Sequence, residues 1–256
     1  GWEGAYYVIA IAIAVIGIPA VLWLVSEPTV AAAGGMPKTT DAILPGVPFR
    51  KAIRTRAWIF ITLALVFAAT APIAMRQNAV DFYAQTGIDA ATVSLSLSVL
   101  FSTSIVGLLI GGTILDRMSR PWIVAVLLAG APVGLALALV NNGSAALLYI
   151  SMALLGIVAG VESALGPALI AKYFGLKSFA ALQGLTLAIT SPALALSPYL
   201  VSAIKAGSGS YTVPLLVLAG ITMIAVILTV LLPKYPAPWV LHMPPRDAAP
   251  GQATAD

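Results

Sequence analysis

Long apolar runs separated by short polar stretches dominate the pattern of this chain. A helix needs about 20 apolar residues to cross a hydrocarbon core of about 30 Å. Seven runs reach this length, at residues 5–26, 57–75, 90–114, 121–140, 145–170, 178–204 and 213–232. The pattern predicts an all-α membrane protein with seven transmembrane helices, and the lipid bilayer is its first predicted partner.

Composition supports this class and excludes others. The chain is 60% hydrophobic and 9% charged, whereas soluble domains carry about 25% charged residues. The net charge of +4 does not indicate nucleic-acid binding, because the basic residues lie in short loops between apolar runs. There is no cysteine, and the single histidine, His242, lies in a Pro-rich tail. We therefore expect no metal site and no cofactor. We also expect no enzyme, since no nucleophile–base or metal set lies near the spans.

The basic residues predict an orientation. Eleven of the 13 Lys and Arg residues fall in four alternating segments, and the three loops between those segments hold only Arg76 and Lys205. The four basic segments are 27–56, 115–120, 171–177 and the tail from 233 to 256. Because Lys and Arg are retained on the cytoplasmic side, these segments are predicted to be cytoplasmic. The tail is Pro-rich and predicted to be disordered.

One apolar run precedes the basic segment 27–56, and six follow it. Residues 27–49 are rich in Pro, Gly, Ala and Thr without periodicity, which is typical of a linker. Residues 47–56 combine apolar and basic positions and predict a short interfacial lead-in to the second span. The chain is therefore predicted to have three parts: a single span over 1–26, a cytoplasmic linker over 27–56 and a six-helix domain over 57–232.

The segment from Gly112 through Asp116 and Arg117 to Arg120 resembles a loop signature of the major facilitator superfamily. That signature joins the second and third helices of a six-helix half, and counting from the linker puts Asp116 there. The resemblance implies a cytoplasmic gate. Gly112 would allow close helix approach, Asp116 would cap a helix N-terminus, and the two arginines would bind carboxylates or carbonyls.

Three other segments resemble the same family, and the turn at Lys172 also resembles its monocarboxylate and oxalate/formate branch. They start at Gly1-Trp2-Glu3, at Lys172-Tyr-Phe-Gly175 and at Gly209-Ser-Tyr-Thr212. The resemblance implies that residues 1–26 are helix six of an N-terminal half whose first five helices are missing. Residues 27–56 would be the central loop, and 57–232 the C-terminal half-bundle.

The function implied is secondary active transport of a small organic solute by alternating access, with a monocarboxylate as one candidate. A bacterial inner membrane would be the location, and the missing half-bundle would be a partner. The alternative is a non-transporting membrane subunit or a truncated relic.

Glu162 is the ionisable residue well inside a span. A charge at the membrane centre costs about 2.5–3.5 kcal/mol on insertion scales, so the residue needs a reason to be there. One interpretation is proton coupling or solute contact. The other is structural, as a pair with Arg117 or Arg120 or a hydrogen bond to backbone.

Further polar positions are candidates for the solute or proton pathway. Ser94, Ser98 and Ser102 recur at i, i+4 and i+8 and share one helix face. That face either lines the pathway or packs against another helix. Gln77 and Asn78 close the second span, and Gln183 and Thr190 lie in the sixth, where Pro192 and Pro198 predict a bend. Neither the third nor the sixth span holds a Lys or Arg, so a carboxylate solute would need a cation from elsewhere.

Overall fold

The computed structural model describes residues 2–20, 46–117 and 122–233, and the chain divides into two compact units, Gly1–Ile43 and Leu44–Asp256. In the first unit, helix α1 (Trp2–Ala12) continues into a π-helical turn at Ile13–Gly17. Residues 18–20 are again α-helical. The first predicted span is thus helical over its described residues.

The second unit contains the six remaining predicted spans. A four-residue helix, α2 (Phe49–Ala52), precedes them. The spans are α3 (Arg56–Ala84), α4 (Ala90–Arg117), α5 (Trp122–Leu128) with α6 (Gly130–Leu139), α7 (Ala145–Phe174), α8 (Phe179–Ser208) and α9 (Thr212–Val230). All six are long and apolar enough to cross a membrane. The prediction of an all-α membrane protein is confirmed.

Helix α3 is the most enclosed of the six spans. Its N-cap is Thr55, whose side chain accepts a hydrogen bond from the Trp58 backbone N–H at 3.2 Å. This bond satisfies one of the free donors of the first turn. Its buried side chains, Ile61, Leu65 and Met75 among them, form part of the core. The span prediction ended at residue 75, but the helix continues to Ala84. The polar residues after Met75 were mistaken for a loop, although this end of the helix still packs into the core through Phe82 and Tyr83.

The span 122–139 is one membrane crossing with a break at Ala129. Pro132 lacks a backbone N–H and cannot bond the carbonyl four residues before it, which is a common cause of a helix kink. This break separates α5 from α6.

Helices α4 and α7 make the closest helix contact in the bundle, and glycines form it. A Cβ added to Gly107 would overlap the Ile157 backbone, and one added to Gly160 would overlap the backbone of Ser104 and Leu108. Gly111 is similarly close to Val161. Small residues allow helix backbones to approach in this way in membranes. Gly156 also lies directly against Leu100 and Thr103 of α4, so Gly156 and Gly160 both serve helix packing.

Four hydrogen bonds bring distant segments to one end of the bundle. The Val47 N–H donates to the Phe174 carbonyl at 2.8 Å, and the Ser178 hydroxyl donates to the Val47 carbonyl at 3.0 Å. Lys172 Nζ donates to the Leu115 carbonyl at the end of α4. The Tyr173 hydroxyl donates to the carbonyl of Pro233, just beyond α9. The start of α3, the end of α4, the α7–α8 turn and the end of α9 therefore adjoin one another, and we call this region the basic end.

The basic end holds most of the described Lys and Arg residues. They are Arg50, Lys51, Arg54, Arg56, Arg117, Lys172 and Lys177. In α2 the basic side chains are exposed, while Ala52 is buried and Phe49 packs against the core. This matches the predicted lead-in. Residues 234–256, the predicted disordered tail, lie outside the described residues.

Candidate solute cavity

A cavity of about 260 Å³ lies between α3, α7 and α8. Its apolar wall includes Leu65 and Leu194, and its polar wall comes from α7 and α8. The polar lining residues are Glu162, Ser163, Gln183, Thr186, Thr190 and Ser191. Three of the residues predicted for the pathway, Glu162, Gln183 and Thr190, therefore meet in one cavity.

The helical period explains how α7 aims Glu162 at this cavity. Gly156 and Gly160 face α4. Glu162 follows Gly160 by two residues, about 200° around the helix at about 100° per residue, and so points away from α4. It lies about 18 Å along α7 from Phe174, well inside the span. The close glycine contact on one face of α7 thus fixes which residues of the opposite face line the cavity.

Glu162 is partly buried. Within the described ranges it forms no ion pair and no side-chain hydrogen bond, and Arg117 is exposed on α4. The structural interpretation, a pair with Arg117, is therefore wrong for the arrangement described. Arg120 lies outside the described residues. Glu162 is instead a carboxyl that faces a cavity.

Gly166 makes room for the cavity. It follows Glu162 by one helical turn, and a Cβ at this position would lie 3.2 Å from Leu65 Cδ1 and 3.8 Å from Gln183 Nε2. Any larger side chain would extend into the space between the three helices. Gly166 could not be predicted from the sequence, because an isolated glycine in a helix carries no signal of which neighbour it faces.

Helix α8 contributes one polar face. Gln183, Thr186 and Thr190 are spaced i, i+3 and i+7, which places them on the same side of a helix. The Thr190 hydroxyl donates to the Thr186 carbonyl at 2.7 Å. Thr186 Oγ1 and Gln183 Oε1 are buried without a hydrogen-bond partner among the described residues. Buried polar atoms of this kind cost about 1–3 kcal/mol each when left unpaired.

Thr186 was missed in the sequence, although its place between Gln183 and Thr190 in the helical repeat was a usable signal. Ser163 was also missed. Pro167 follows it by four residues in α7 and lacks a backbone N–H, so the Ser163 carbonyl loses its usual intrahelical partner. Both residues line the cavity, which adds a backbone acceptor near Glu162.

The other predicted pathway residues lie elsewhere. Ser94, Ser98 and Ser102 are exposed on α4, and they take no part in the glycine contact with α7. Gln77 is exposed on α3. Asn78 is buried and links two helices, because its Nδ2 donates to the Ala74 carbonyl at 3.0 Å and its Oδ1 accepts from Ser202 of α8 at 3.1 Å. None of these five lines the cavity.

The predicted gate residues lie at the basic end. Asp116 and Arg117 are exposed at the end of α4, and Arg120 is outside the described residues. Among the described residues no helix approaches Gly112 closely, because a Cβ there would meet nothing within 4 Å, and its role in a gate stays a prediction. Gly111, one residue earlier, faces α7 instead, since one residue turns the helix by about 100°. The tie actually present is Lys172 to the Leu115 carbonyl, a cation at a helix C-terminus.

In the part of the chain that the structure describes, no three His, Cys, Asp or Glu side chains lie close enough together to hold a metal ion. The chemistry available in the cavity is therefore binding and hydrogen bonding by one carboxyl, amide and hydroxyl groups, and a freed carbonyl. This set suits recognition of a small solute or a proton.

Comparison with curated proteins gives no significant match. The sequence profile of the Major Facilitator Superfamily, in contrast, matches residues 78–250, which is more than half of the chain. The matched region includes the cavity residues of α7 and α8 and most of the six-span unit. A polar cavity inside a bundle of apolar, membrane-spanning helices is what a transporter of this kind requires. The chain belongs to the Major Facilitator Superfamily and is an integral membrane protein of the transporter class.

Proposed function

We propose that this chain carries the C-terminal half of a secondary active transporter that moves a small organic solute by alternating access. In this mechanism two half-bundles rock about a site near the middle of the membrane and expose it to each side in turn. The cavity between α3, α7 and α8 would be this half's share of the solute site. Residues 1–26 and 27–56 would be the last helix of the other half and the central loop.

The observation that carries the proposal is the position of Glu162 in this cavity. An ionisable residue inside a span marks a functional pathway by default, because burying it without a role is costly. Glu162 shares its cavity with hydroxyl and amide groups from a second helix. Such a mixed polar wall within an apolar bundle supports solute binding better than it supports packing alone.

The basic end is the proposed cytoplasmic side, since Lys and Arg concentrate there. Asp116, Arg117 and Arg120 would form the gate of that side, close to the Lys172 tie. Ser94, Ser98 and Ser102 are exposed along one face of α4. We propose that this face lines the pathway opposite the N-terminal half, in a bacterial inner membrane.

Filling the cavity tests the proposal. Gly166→Val adds a side chain against Leu65 and Gln183, whereas Gly220→Val on α9 adds the same side chain where nothing lies within 4 Å. Both variants would be made in the full-length protein and assayed for uptake. The panel would hold small organic acids, amines and neutral solutes, with and without a proton gradient.

We expect Gly166→Val to reduce uptake by about tenfold or more, since overpacking typically costs about 1–3 kcal/mol. Gly220→Val should retain wild-type uptake at equal membrane expression. Wild-type uptake in both variants would show that the cavity is not on the solute path.

A second candidate function is a non-transporting membrane subunit or relic, because one half-bundle supplies only one wall of a solute site. The coding sequence upstream of Gly1 separates the two. Five further apolar spans in frame support transport, and a start codon immediately before Gly1 supports the alternative. The resemblance to the monocarboxylate and oxalate/formate branch makes a carboxylate the first solute to compare with others.

A further inference from the structure

We propose that the cavity recognises a small protonated amine rather than a carboxylate. This inference rests on the proposed transport function and specifies its solute class. The charge of the cavity wall carries it.

The cavity wall carries a carboxyl group and no cationic group. Of its lining residues in the described ranges, Glu162 is acidic and none is Lys, Arg or His. A carboxylate solute would meet a group of its own charge there. An ammonium group would supply the opposite charge that Glu162 lacks, and a buried carboxylate needs such a partner.

The described Lys and Arg side chains nearest to Glu162 in the sequence either contact other groups or are exposed at the basic end. Lys172 lies about 15 Å along α7 from Glu162, and its Nζ donates to the Leu115 carbonyl of α4. Arg76 lies over the Phe101 ring at 5.8 Å, and Lys205 lies over the Tyr211 ring at 4.4 Å. Arg117 and Lys177 are exposed at the basic end. A positive charge beside Glu162 therefore has to come from a ligand or from another part of the transporter.

The hydrogen-bonding groups of the wall match an ammonium group. An –NH₃⁺ group has three donors and no acceptor, so its site must present acceptors. Glu162 provides carboxyl oxygens, and the Ser163 carbonyl is freed by Pro167. Glu162, Ser163 and Thr186 come from two helices and line the same cavity.

The size of the cavity limits the solute. Its volume of about 260 Å³ lies just below the range of about 300–1,000 Å³ typical of drug-sized ligands. A primary amine with a short alkyl chain fits, with its chain against Leu65 and Leu194. This leaves the ammonium group on the polar side formed by α7 and α8.

The test compares three probes of nearly equal shape: n-butylammonium, butanamide and butyrate. Binding to the purified full-length protein in nanodiscs would be measured by calorimetry at neutral pH. We expect butylammonium to bind about tenfold or more tightly than either other probe, which is the usual effect of one hydrogen bond to a charged group. Glu162→Gln should remove this preference.

Asp81→Asn is the matched control, because it removes a carboxylate from the exposed surface of α3 with the same change in net charge. It should keep the wild-type preference. Tighter binding of butyrate, no preference for butylammonium in the wild type, or a preference that survives Glu162→Gln would each overturn the proposal.

Uptake of the same probes into proteoliposomes separates this inference from the proposed function. Uptake of butyrate that Gly166→Val blocks would keep the transport function and overturn the amine specificity. Binding of butylammonium through Glu162 without uptake of any probe would support the amine site and contradict the transport function.

Discussion

At the residue scale, Asp89 shows how one side chain sets the start of a span. Its carboxylate accepts hydrogen bonds from the Thr92 backbone N–H at 2.9 Å and from the Thr92 hydroxyl at 2.7 Å. These are the bonds of a helix N-cap. Asp89 itself lies in the loop before α4, outside the spans. The backbone bond from Thr92 is the main cause of a lowered pKa for Asp89.

This cap predicts a pH-dependent contribution to stability. Because the pKa of Asp89 is lower in the folded state, the carboxylate stabilises the fold fully above the ordinary aspartate range. The stabilisation is lost as pH falls through the lowered pKa. Asp89→Ala should therefore lower the Tm in detergent at neutral pH, and the difference from wild type should shrink on acidification.

Asp81→Ala is the comparison, since Asp81 is exposed and makes no cap. It should leave the Tm near the wild-type value at every pH. A constant difference between wild type and Asp89→Ala from neutral to acidic pH would contradict the titration of the cap.

At the element scale, replacing either of two helical glycines by alanine should change the Tm in opposite directions. Gly160→Ala places a Cβ against the backbone of Ser104 and Leu108, and overpacking of this kind costs about 1–3 kcal/mol. Gly112→Ala meets open space and should gain up to about 1 kcal/mol from helix propensity. Thermal unfolding in detergent should show a lower Tm for the first and an equal or higher Tm for the second.

Equal Tm values for the two variants would mean that α4 and α7 can separate at no cost. Gly107→Ala is a further check from the other side of the same contact, because its Cβ would overlap the Ile157 backbone. It should behave as Gly160→Ala does.

The same comparison shows what could be predicted about the elements. Apolar length alone located every span of the second unit, because crossing a membrane needs a run that no loop interrupts. The end of α3 was missed, because Asn78 is polar yet buried through its bond to Ser202, a partner distant in sequence. Gly111 and Gly112 differ only in which neighbour they face, which depends on the packing of α7.

Only some of the residues that line the cavity could be predicted from the sequence, again because the others depend on tertiary packing. Glu162 and Thr190 stood out, since polar groups are rare in spans. Gly166 and Thr186 were missed, because their role appears only when α3, α7 and α8 come together. The resemblance to a known family put Asp116 at the end of a span, and Asp116 does lie at the end of α4, but its role in a gate stays a prediction. The tie from Lys172 to the Leu115 carbonyl could not be predicted, because it is a tertiary contact.

At the scale of the whole molecule, the end of the linker is held against the α7–α8 turn. Gly46 pairs with Gly175, and a Cβ on Gly46 would lie 3.0 Å from the Lys177 backbone nitrogen and closer still to the Phe174 carbonyl oxygen. Gly46→Ala should loosen this pairing. We expect faster cleavage by trypsin after Arg50 and Lys51, which are exposed, measured by mass spectrometry of the fragments.

Gly184→Ala provides the control for this experiment, because a Cβ on Gly184 meets nothing within 4 Å. Its cleavage should follow the wild-type time course. Identical cleavage of Gly46→Ala and wild type would show that the pairing does not hold the segment.

The contact between α4 and α7 has a mechanical consequence. Because the two backbones are in direct contact at Gly107 and at Gly160, the helices move as one rigid body and do not slide past each other. Glu162 and Asp116, at the end of α4, then belong to the same rigid body, on opposite sides of it and at different depths in the membrane. A tilt of this rigid body that widens the cavity at Glu162 must also displace Asp116. The width of the cavity and the position of the basic end are therefore mechanically coupled.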